Sequence, residues 1–241
     1  SNYILVTGHF SGGPTDFDPG AGTTTFTPAG SGDVFILKLE PDGDLTWAKQ
    51  IGGSGIEYAY DIASNTSGDI FIAGSFTETV DFDTDAGTSV ATSLPTTKHD
   101  GFLLRLNPDG TFKWVWPFGS TNDDNARGIS FDADGNILLA GQFQGTVDFD
   151  PGSGVTNLSS GGGFFLKLKD TYELFWAREL GTMTTSLRSD NNGMITVVGQ
   201  HVAGTIDTDF GVCKNEIYPN TGWQGIYFVK YYLGTEAQIT L

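Results

Sequence analysis

The sequence predicts an all-β fold assembled from four tandem copies of one unit, and three observations predict it. An apolar run ending in glycine recurs four times at near-constant spacing. A second apolar run, carrying a single cation, follows each of them. Turn-forming Asp, Asn, Pro and Gly separate the runs, and no segment sustains a helical period. A fixed period of this length is the mark of a repeat architecture.

The first run sets the register. It reads Ile4-Leu5-Val6-Thr7-Gly8-His9-Phe10, Ile70-Phe71-Ile72-Ala73-Gly74-Ser75-Phe76 and Ile137-Leu138-Leu139-Ala140-Gly141-Gln142-Phe143. The fourth copy, Ile195-Thr196-Val197-Val198-Gly199-Gln200-His201, has histidine in place of phenylalanine. The anchor glycines Gly8, Gly74, Gly141 and Gly199 stand 66, 67 and 58 residues apart. The second run reads Phe35-Ile36-Leu37-Lys38, Phe102-Leu103-Leu104-Arg105, Phe164-Phe165-Leu166-Lys167 and Tyr227-Phe228-Val229-Lys230. Nine residues beyond the first three cations stand Trp47, Trp114 and Trp176; Ile239 fills that slot in the fourth copy. A turn glycine precedes the anchor by six residues at Gly68, Gly135 and Gly193, and Asn2 takes its place in the first copy.

Each unit resolves into four strands. Strand A is exemplified by Asp61-Ile62-Ala63 and Gly128-Ile129-Ser130-Phe131. The tight turn Asp132-Ala133-Asp134-Gly135-Asn136 is rich in residues that accept positive φ. Strand B is the glycine-ending run, and a long loop leads to strand C, the run with the cation. A second turn, Pro41-Asp42-Gly43 or Pro108-Asp109-Gly110, leads to strand D with its tryptophan. Strands B and C are almost continuously apolar, so both of their faces should be buried; a sheet with one wet face would alternate. Four-stranded sheets stacked around a common axis bury both faces. The expectation is therefore a β-propeller of four-stranded antiparallel blades, about four blades in a single domain over 1–241. The repeats would cover approximately 1–56, 57–123, 124–183 and 184–241. Strand A of the first repeat is missing, which leaves about 15 strands. The chain is then a segment of a larger ring, or that strand comes from elsewhere.

Composition narrows the partners. Twelve Lys and Arg face 29 Asp and Glu, a net charge of −17, which repels a phosphate backbone and excludes nucleic acid as a partner. No apolar run approaches 18 residues, so no membrane insertion is expected. The one cysteine, Cys213, rules out an internal disulfide and any multi-thiolate zinc site. Glycine at 34 of 241 residues fits many tight turns between short strands.

The string Thr146-Val147-Asp148-Phe149-Asp150-Pro151-Gly152, the turn Asp134-Gly135-Asn136-Ile137, and the Phe-x-x-Lys run followed by tryptophan resemble the SBBP repeats of bacterial β-propellers. The resemblance covers nearly the whole chain and is weakest in the fourth copy. It implies the propeller fold and a place in large secreted or cell-surface bacterial proteins, often beside adhesion modules. The family shares no enzyme activity, so the resemblance implies fold and location more than function.

The motif after strand B is the candidate site. It reads Asp16-Phe17-Asp18-Pro19-Gly20, Asp81-Phe82-Asp83-Thr84-Asp85-Ala86-Gly87, Asp148-Phe149-Asp150-Pro151-Gly152 and Asp207-Thr208-Asp209-Phe210-Gly211. Strand alternation puts Val80 and Phe82 on one face and Asp81 and Asp83 on the other. Paired carboxylates at a turn suit Ca²⁺, which takes six to eight oxygens, although the spacing is not that of an EF-hand. The competing reading is a structural turn, in which Asp bonds local amides. In a variant of it, the first Asp pairs with the strand C cation, Lys38, Arg105, Lys167 or Lys230.

Other residues read as packing. Trp47, Trp114 and Trp176 hold a fixed place in strand D; Trp116 and Trp223 break that pattern, and Trp223 sits in a loop suited to ligand contact. His9, His99 and His201 lack metal spacing. With four arginines, no Gly-x-Ser-x-Gly elbow and no singled-out carboxylate pair, no catalytic constellation emerges. The sequence thus points to a non-catalytic secreted or surface scaffold for binding, adhesion or display of a protein or glycan ligand, stabilised in one reading by Ca²⁺. Further blades or domains of the same parent chain are expected neighbours. The alternatives are a glycan-processing enzyme with a site at a channel mouth, and a structural spacer.

Overall fold

In a computed structural model, residues 3–159, 161–180, 183–190, 194–201 and 225–232 are described, and every regular element among them is a β-strand. The first repeat contains β1 (Ile4–Phe10), the short pair β2 (Thr15–Asp16) and β3 (Thr25–Phe26), then β4 (Asp33–Leu39) and β5 (Leu45–Gly53). The second contains β6 (Glu57–Ser64), β7 (Ile70–Phe76), the short pair β8 (Thr79–Asp81) and β9 (Val90–Thr92), then β10 (Asp100–Leu106) and β11 (Phe112–Phe118). The third contains β12 (Asn125–Phe131), β13 (Ile137–Phe143), the pair β14 (Val147–Asp148) and β15 (Asn157–Leu158), then β16 (Gly162–Leu168) and β17 (Leu174–Leu180). The fourth contributes β18 (Met183–Ser189), β19 (Met194–His201) and β20 (Gly225–Tyr232). The expected loop between strands B and C is instead a small hairpin in each of the first three repeats, which raises the strand number above the expected 15 or so. The hairpins escape a reading of apolar runs because each of their arms is only two or three residues long.

The second and third repeats each form a four-stranded antiparallel sheet, in the orders β6-β7-β10-β11 and β12-β13-β16-β17. In the first repeat β1 is an edge strand beside β4, and the hairpin of the second repeat extends that sheet through β5, β8 and β9. Burial follows the pairing. Every residue of β7 and β10 is buried, whereas β1, with the same apolar sequence pattern, is mostly half-exposed.

Cross-strand register explains the spacings seen in the sequence. The anchor glycine faces the first aromatic of strand C in all four repeats: Gly8 faces Phe35, Gly74 Phe102, Gly141 Phe164 and Gly199 Tyr227. A Cβ added at Gly74 would sit 2.3 Å from the Phe102 ring, so the aromatic lies on the bare glycine backbone. The offset of nine between cation and tryptophan has a similar origin. Lys38 faces Trp47, Arg105 faces Trp114 and Lys167 faces Trp176, and the register slips immediately after each cation. Turn glycines Gly68 and Gly135 adopt φ of 84°, a conformation that costs glycine nothing.

The chain divides into two compact units, Ser1–Ala126 and Arg127–Leu241. In the first, Val34 and Ile36 of β4 and Ile51 of β5 share one core with Ile72 of β7 and Phe102 and Leu104 of β10. In the second, Leu138 and Ala140 of β13 and Phe165 of β16 share a core with Leu187, Ile195 and Val197 of β18 and β19. Sheets therefore stack on sheets within each unit. Each fully buried large aliphatic or aromatic side chain stabilises such a stack by about 1.5–3 kcal/mol.

Candidate functional site

The aspartate motif forms the entry to each short hairpin, and its geometry repeats atom for atom. Oδ1 of Asp16 accepts the N–H groups of Asp18 at 3.1 Å and Thr24 at 2.8 Å. Oδ1 of Asp81 accepts those of Asp83 at 3.0 Å and Ser89 at 2.8 Å. Oδ1 of Asp148 accepts those of Asp150 at 3.0 Å and Thr156 at 2.8 Å. One oxygen thus ties both arms of each hairpin. The second carboxylate repeats the device one step on, with Asp18 accepting from Gly20, Asp83 from Asp85 and Asp150 from Gly152, at 2.8, 2.9 and 2.8 Å. Its other oxygen lies where a Cβ on the glycine four residues later would fall, 2.1–2.2 Å away at Gly22, Gly87 and Gly154. The sequence motif reaches this glycine in the second copy, at Gly87, but ends at the nearer Gly20 and Gly152 in the first and third, so Gly22 and Gly154 were missed.

The residue between the two carboxylates points the other way. Phe82 and Phe149 are fully buried, and Phe82 packs 4.9 Å from Phe102 while Phe149 packs 4.6 Å from Phe164. Phe17 packs 4.8 Å from Phe35 in the same relationship. Alternation along the strand produces both effects at once: aspartates staple the hairpin outside while the phenylalanine plugs the core inside.

These carboxylates are engaged in the local hydrogen bonds of the structural-turn reading. A hard cation needs a shell of oxygens, whereas Oδ1 of each of Asp16, Asp18, Asp81, Asp83, Asp148 and Asp150 accepts a backbone N–H. Asp85, the extra acid of the second copy, accepts from the Phe112 N–H at 2.9 Å and pairs with Lys49 of β5 at 3.1 Å. Those two contacts hold the Asp85 carboxyl below its ordinary range. Among the described residues no three Asp, Glu, His or Cys side chains converge to hold a metal. Asp207 and Asp209 lie outside the described residues, as do Cys213, Trp223 and Ile239.

The strand C cations find different partners from the motif aspartates expected for them. Arg105 donates from Nε to Asp69 at 3.0 Å, and Lys113 joins them at 2.7 Å. Lys167 pairs with Asp132 at 2.9 Å. Both acids belong to the A–B turn, which tertiary pairing sets beside strand C of the same sheet. Burial alone would raise the Asp69 carboxyl; bonds from Lys113 and Arg105 outweigh it and hold the group below the usual carboxylate range. Burial likewise works against Asp132, and the bonds from Lys167 and Asn136 overcome it. Lys38 instead donates to the Pro108 carbonyl at 2.7 Å and lies 4.0 Å over the Tyr3 ring. It borders a groove of about 550 Å³ whose walls include Tyr3, Leu5, Asn65, Thr66 and Pro108. Lys230 is described only in the backbone pairing of β20, where it faces Thr196.

Trp114, Trp116, Trp176, His9 and His99 are packed against other rings. Trp114 meets Phe71 edge-on at 6.0 Å and Trp176 meets Phe165 at 4.9 Å. Trp116 is 5% exposed, and its ring lies 4.9 Å from that of Phe118 at a tilt of 40°. The Tyr58 ring lies between His9 at 4.7 Å and His99 at 5.8 Å.

A second acidic feature was not anticipated. Asp33 opens β4, Glu57 opens β6, and both are fully buried. Glu57 accepts the Gly53 N–H at 3.1 Å through Oε2, while its buried Oε1 has no partner. Asp33 accepts the Ala29 N–H at 3.1 Å and the Gln50 amide. Burial, opposed by the Gly53 bond and reinforced by the charges of Asp33 and Glu78, pushes the Glu57 carboxyl up to about 8. The next repeat has the same pair in Asp100, which opens β10, and Asp124, which precedes β12. Asp124 accepts the Ser120 N–H, and burial with the charge of Asp124 pushes Asp100 up to about 7 against a bond from Leu94. The sequence does carry a signal for these acids, since Glu57 and Asp124 each follow a glycine, Gly52 and Gly119, by five residues.

No family model matches the chain. It is 22% identical over 150 residues to the uncharacterized WD repeat-containing protein L264 of Acanthamoeba polyphaga mimivirus, covering 59% of this chain and 11% of that protein. It is 26% identical over 129 residues to the regulatory protein FlaEY of Caulobacter vibrioides, covering 52% of this chain and 13% of that one. The chain therefore spans only about a tenth of the length of the curated relatives it matches.

Proposed function

We propose that the chain is a run of SBBP-type β-propeller blades that acts as a non-catalytic scaffold for binding, adhesion or display outside a bacterial cell. The observation that carries this reading is the contrast within the B–C hairpins. Their frame repeats in Asp16, Asp81 and Asp148 and in Phe17, Phe82 and Phe149, with tips of equal length, whereas the segments that lead from the hairpins to strand C, 27–32, 93–99 and 159–161, differ in sequence and length. The tips and their flanks present Val90, Leu94 and Val155, which are 61%, 68% and 71% exposed. Rigid frames with varied, partly apolar loops are how scaffolds present ligand-binding surfaces. The WD-repeat designation of the mimiviral relative supports the propeller part of the reading. The carboxylates best placed for chemistry by sequence are bonded to amides, which supports a scaffold over a glycan-processing enzyme.

The test is a glycan and protein array probed with the purified chain, alongside Val90→Asp, Leu94→Asp and Val155→Asp variants. Ligand capture that these surface changes abolish, with melting temperature unchanged, is the expected result. Capture that survives all three changes, or turnover of an arrayed glycan, would overturn it. Detection of the native protein only in the cytoplasmic fraction would overturn the location.

A further inference from the structure

The two buried carboxyl pairs share a construction that the hairpins do not explain. In each, the acid at the entry to a strand A donates its backbone N–H to the carbonyl just before the acid that opens the preceding strand C: Glu57 to Gly32, beside Asp33, at 2.9 Å, and Asp124 to His99, beside Asp100, at 2.7 Å. Each pair rests on a glycine at the end of strand D. A Cβ on Gly52 would fall 2.0 Å from Asp33, and one on Gly119 would fall 2.3 Å from Asp100. The groups that act on Glu57 are Asp33 and Glu78, both acidic, and the Gly53 N–H. The groups that act on Asp100 are Asp124 and the Leu94 N–H. The neighbouring cation Lys98 is held by Asp123 at 2.8 Å, and burial keeps His99 toward its neutral form. In both pairs a buried oxygen stays without a partner, Oε1 of Glu57 and Oδ1 of Asp100.

We propose that each pair is a proton-holding clasp, binding one proton at neutral pH and loosening the joint between the two strand entries that carry it when that proton is lost. Two carboxyls in low dielectric cannot both ionise cheaply; retaining one proton removes the like-charge repulsion. Ionisation releases the proton to solvent and leaves two buried negative charges across the joint. The third repeat has Gly162 where Asp33 and Asp100 stand, so it lacks this strand C acid. The values near 8 for Glu57 and near 7 for Asp100 agree with the geometry.

The sign follows from linkage. A carboxyl raised by folding stabilises the fold fully below its unfolded value, 4.5 for Glu57 and 3.8 for Asp100. That contribution is lost as pH rises through the folded value. Across this window each retained proton lowers the folded-to-unfolded ratio roughly tenfold per pH unit. The test is thermal and urea unfolding of the chain from about pH 5 to 9 at constant salt. The wild-type midpoint should fall with rising pH. Glu57→Gln and Asp100→Asn should each remove close to one proton from the slope, and the double variant should remove both. A flat wild-type profile, or a slope unchanged in the variants, overturns the proposal. Should a variant fail to fold, the side-chain carboxyl ¹³C shift of wild-type Glu57 decides: a midpoint near 8 supports the clasp, and one near the ordinary glutamate value ends it.

Discussion

Arg105 and Asp69 form an ion pair with both side chains 6% exposed, joining strand C to the A–B turn of the same sheet. The pair sits over the Phe71 ring, 4.9 Å from the guanidinium carbon, so its charges are screened little by water. Removing one partner strands the other. Asp69→Ala should therefore destabilise the chain by about 3–5 kcal/mol, measured by urea unfolding. Replacing Asp85 of the exposed Lys49 pair should cost far less.

The same aspartates govern the acid limb of stability. Asp69 and Asp132 have carboxyls lowered by folding, so their contribution is present above the unfolded value of 3.8 and is lost as pH falls through the folded value. Below about pH 4 the wild-type chain should lose stability, and Asp69→Asn should flatten that limb without altering the neutral one. Melting curves collected on both sides separate these groups from Glu57 and Asp100.

Asp81 ties Asp83 to Ser89 across the hairpin through a single oxygen. Asp81→Ala should cost about 1–2 kcal/mol and raise hydrogen exchange at the Ser89 amide. Asp81→Asn, which keeps an acceptor oxygen, should recover most of the loss. A hairpin whose Ser89 exchange is unchanged in the alanine variant would refute the staple.

Calcium should have no effect on the fold through these hairpins. Melting temperatures in millimolar Ca²⁺ and in chelator are expected to coincide, because a ligand that binds the native state would raise the midpoint with its concentration. A calcium-dependent rise would show that the carboxylates can turn from their amides to a metal.

Gly74 and Gly8 occupy equivalent positions with different neighbours. A Cβ at Gly74 would fall 2.2 Å from the Tyr58 carbonyl and 2.3 Å from the Phe102 ring, while at Gly8 it would meet only the Phe35 ring, at 2.8 Å. Gly74→Ala should destabilise by about 1–3 kcal/mol, and Gly8→Ala by less, since a ring can shift where backbone cannot. Equal losses would mean that strand A contributes nothing to the constraint.

The sequence by itself determined the repeat, the all-β class, the strand order and the turn positions. Apolar runs and turn residues act over a few neighbours, so Gly68, Phe102 and Trp114 reveal their roles through spacing alone. It also carried the division of labour in Asp81-Phe82-Asp83, because alternation along a strand is local. Only the tertiary structure decided which charges meet. Arg105 is 36 residues from Asp69, and Glu57 is 24 from Asp33, distances at which register and sheet stacking choose the partner. The short hairpins and the buried acid pairs were hidden for the same reason: each consists of a few residues whose meaning depends on what the neighbouring sheet sets against them.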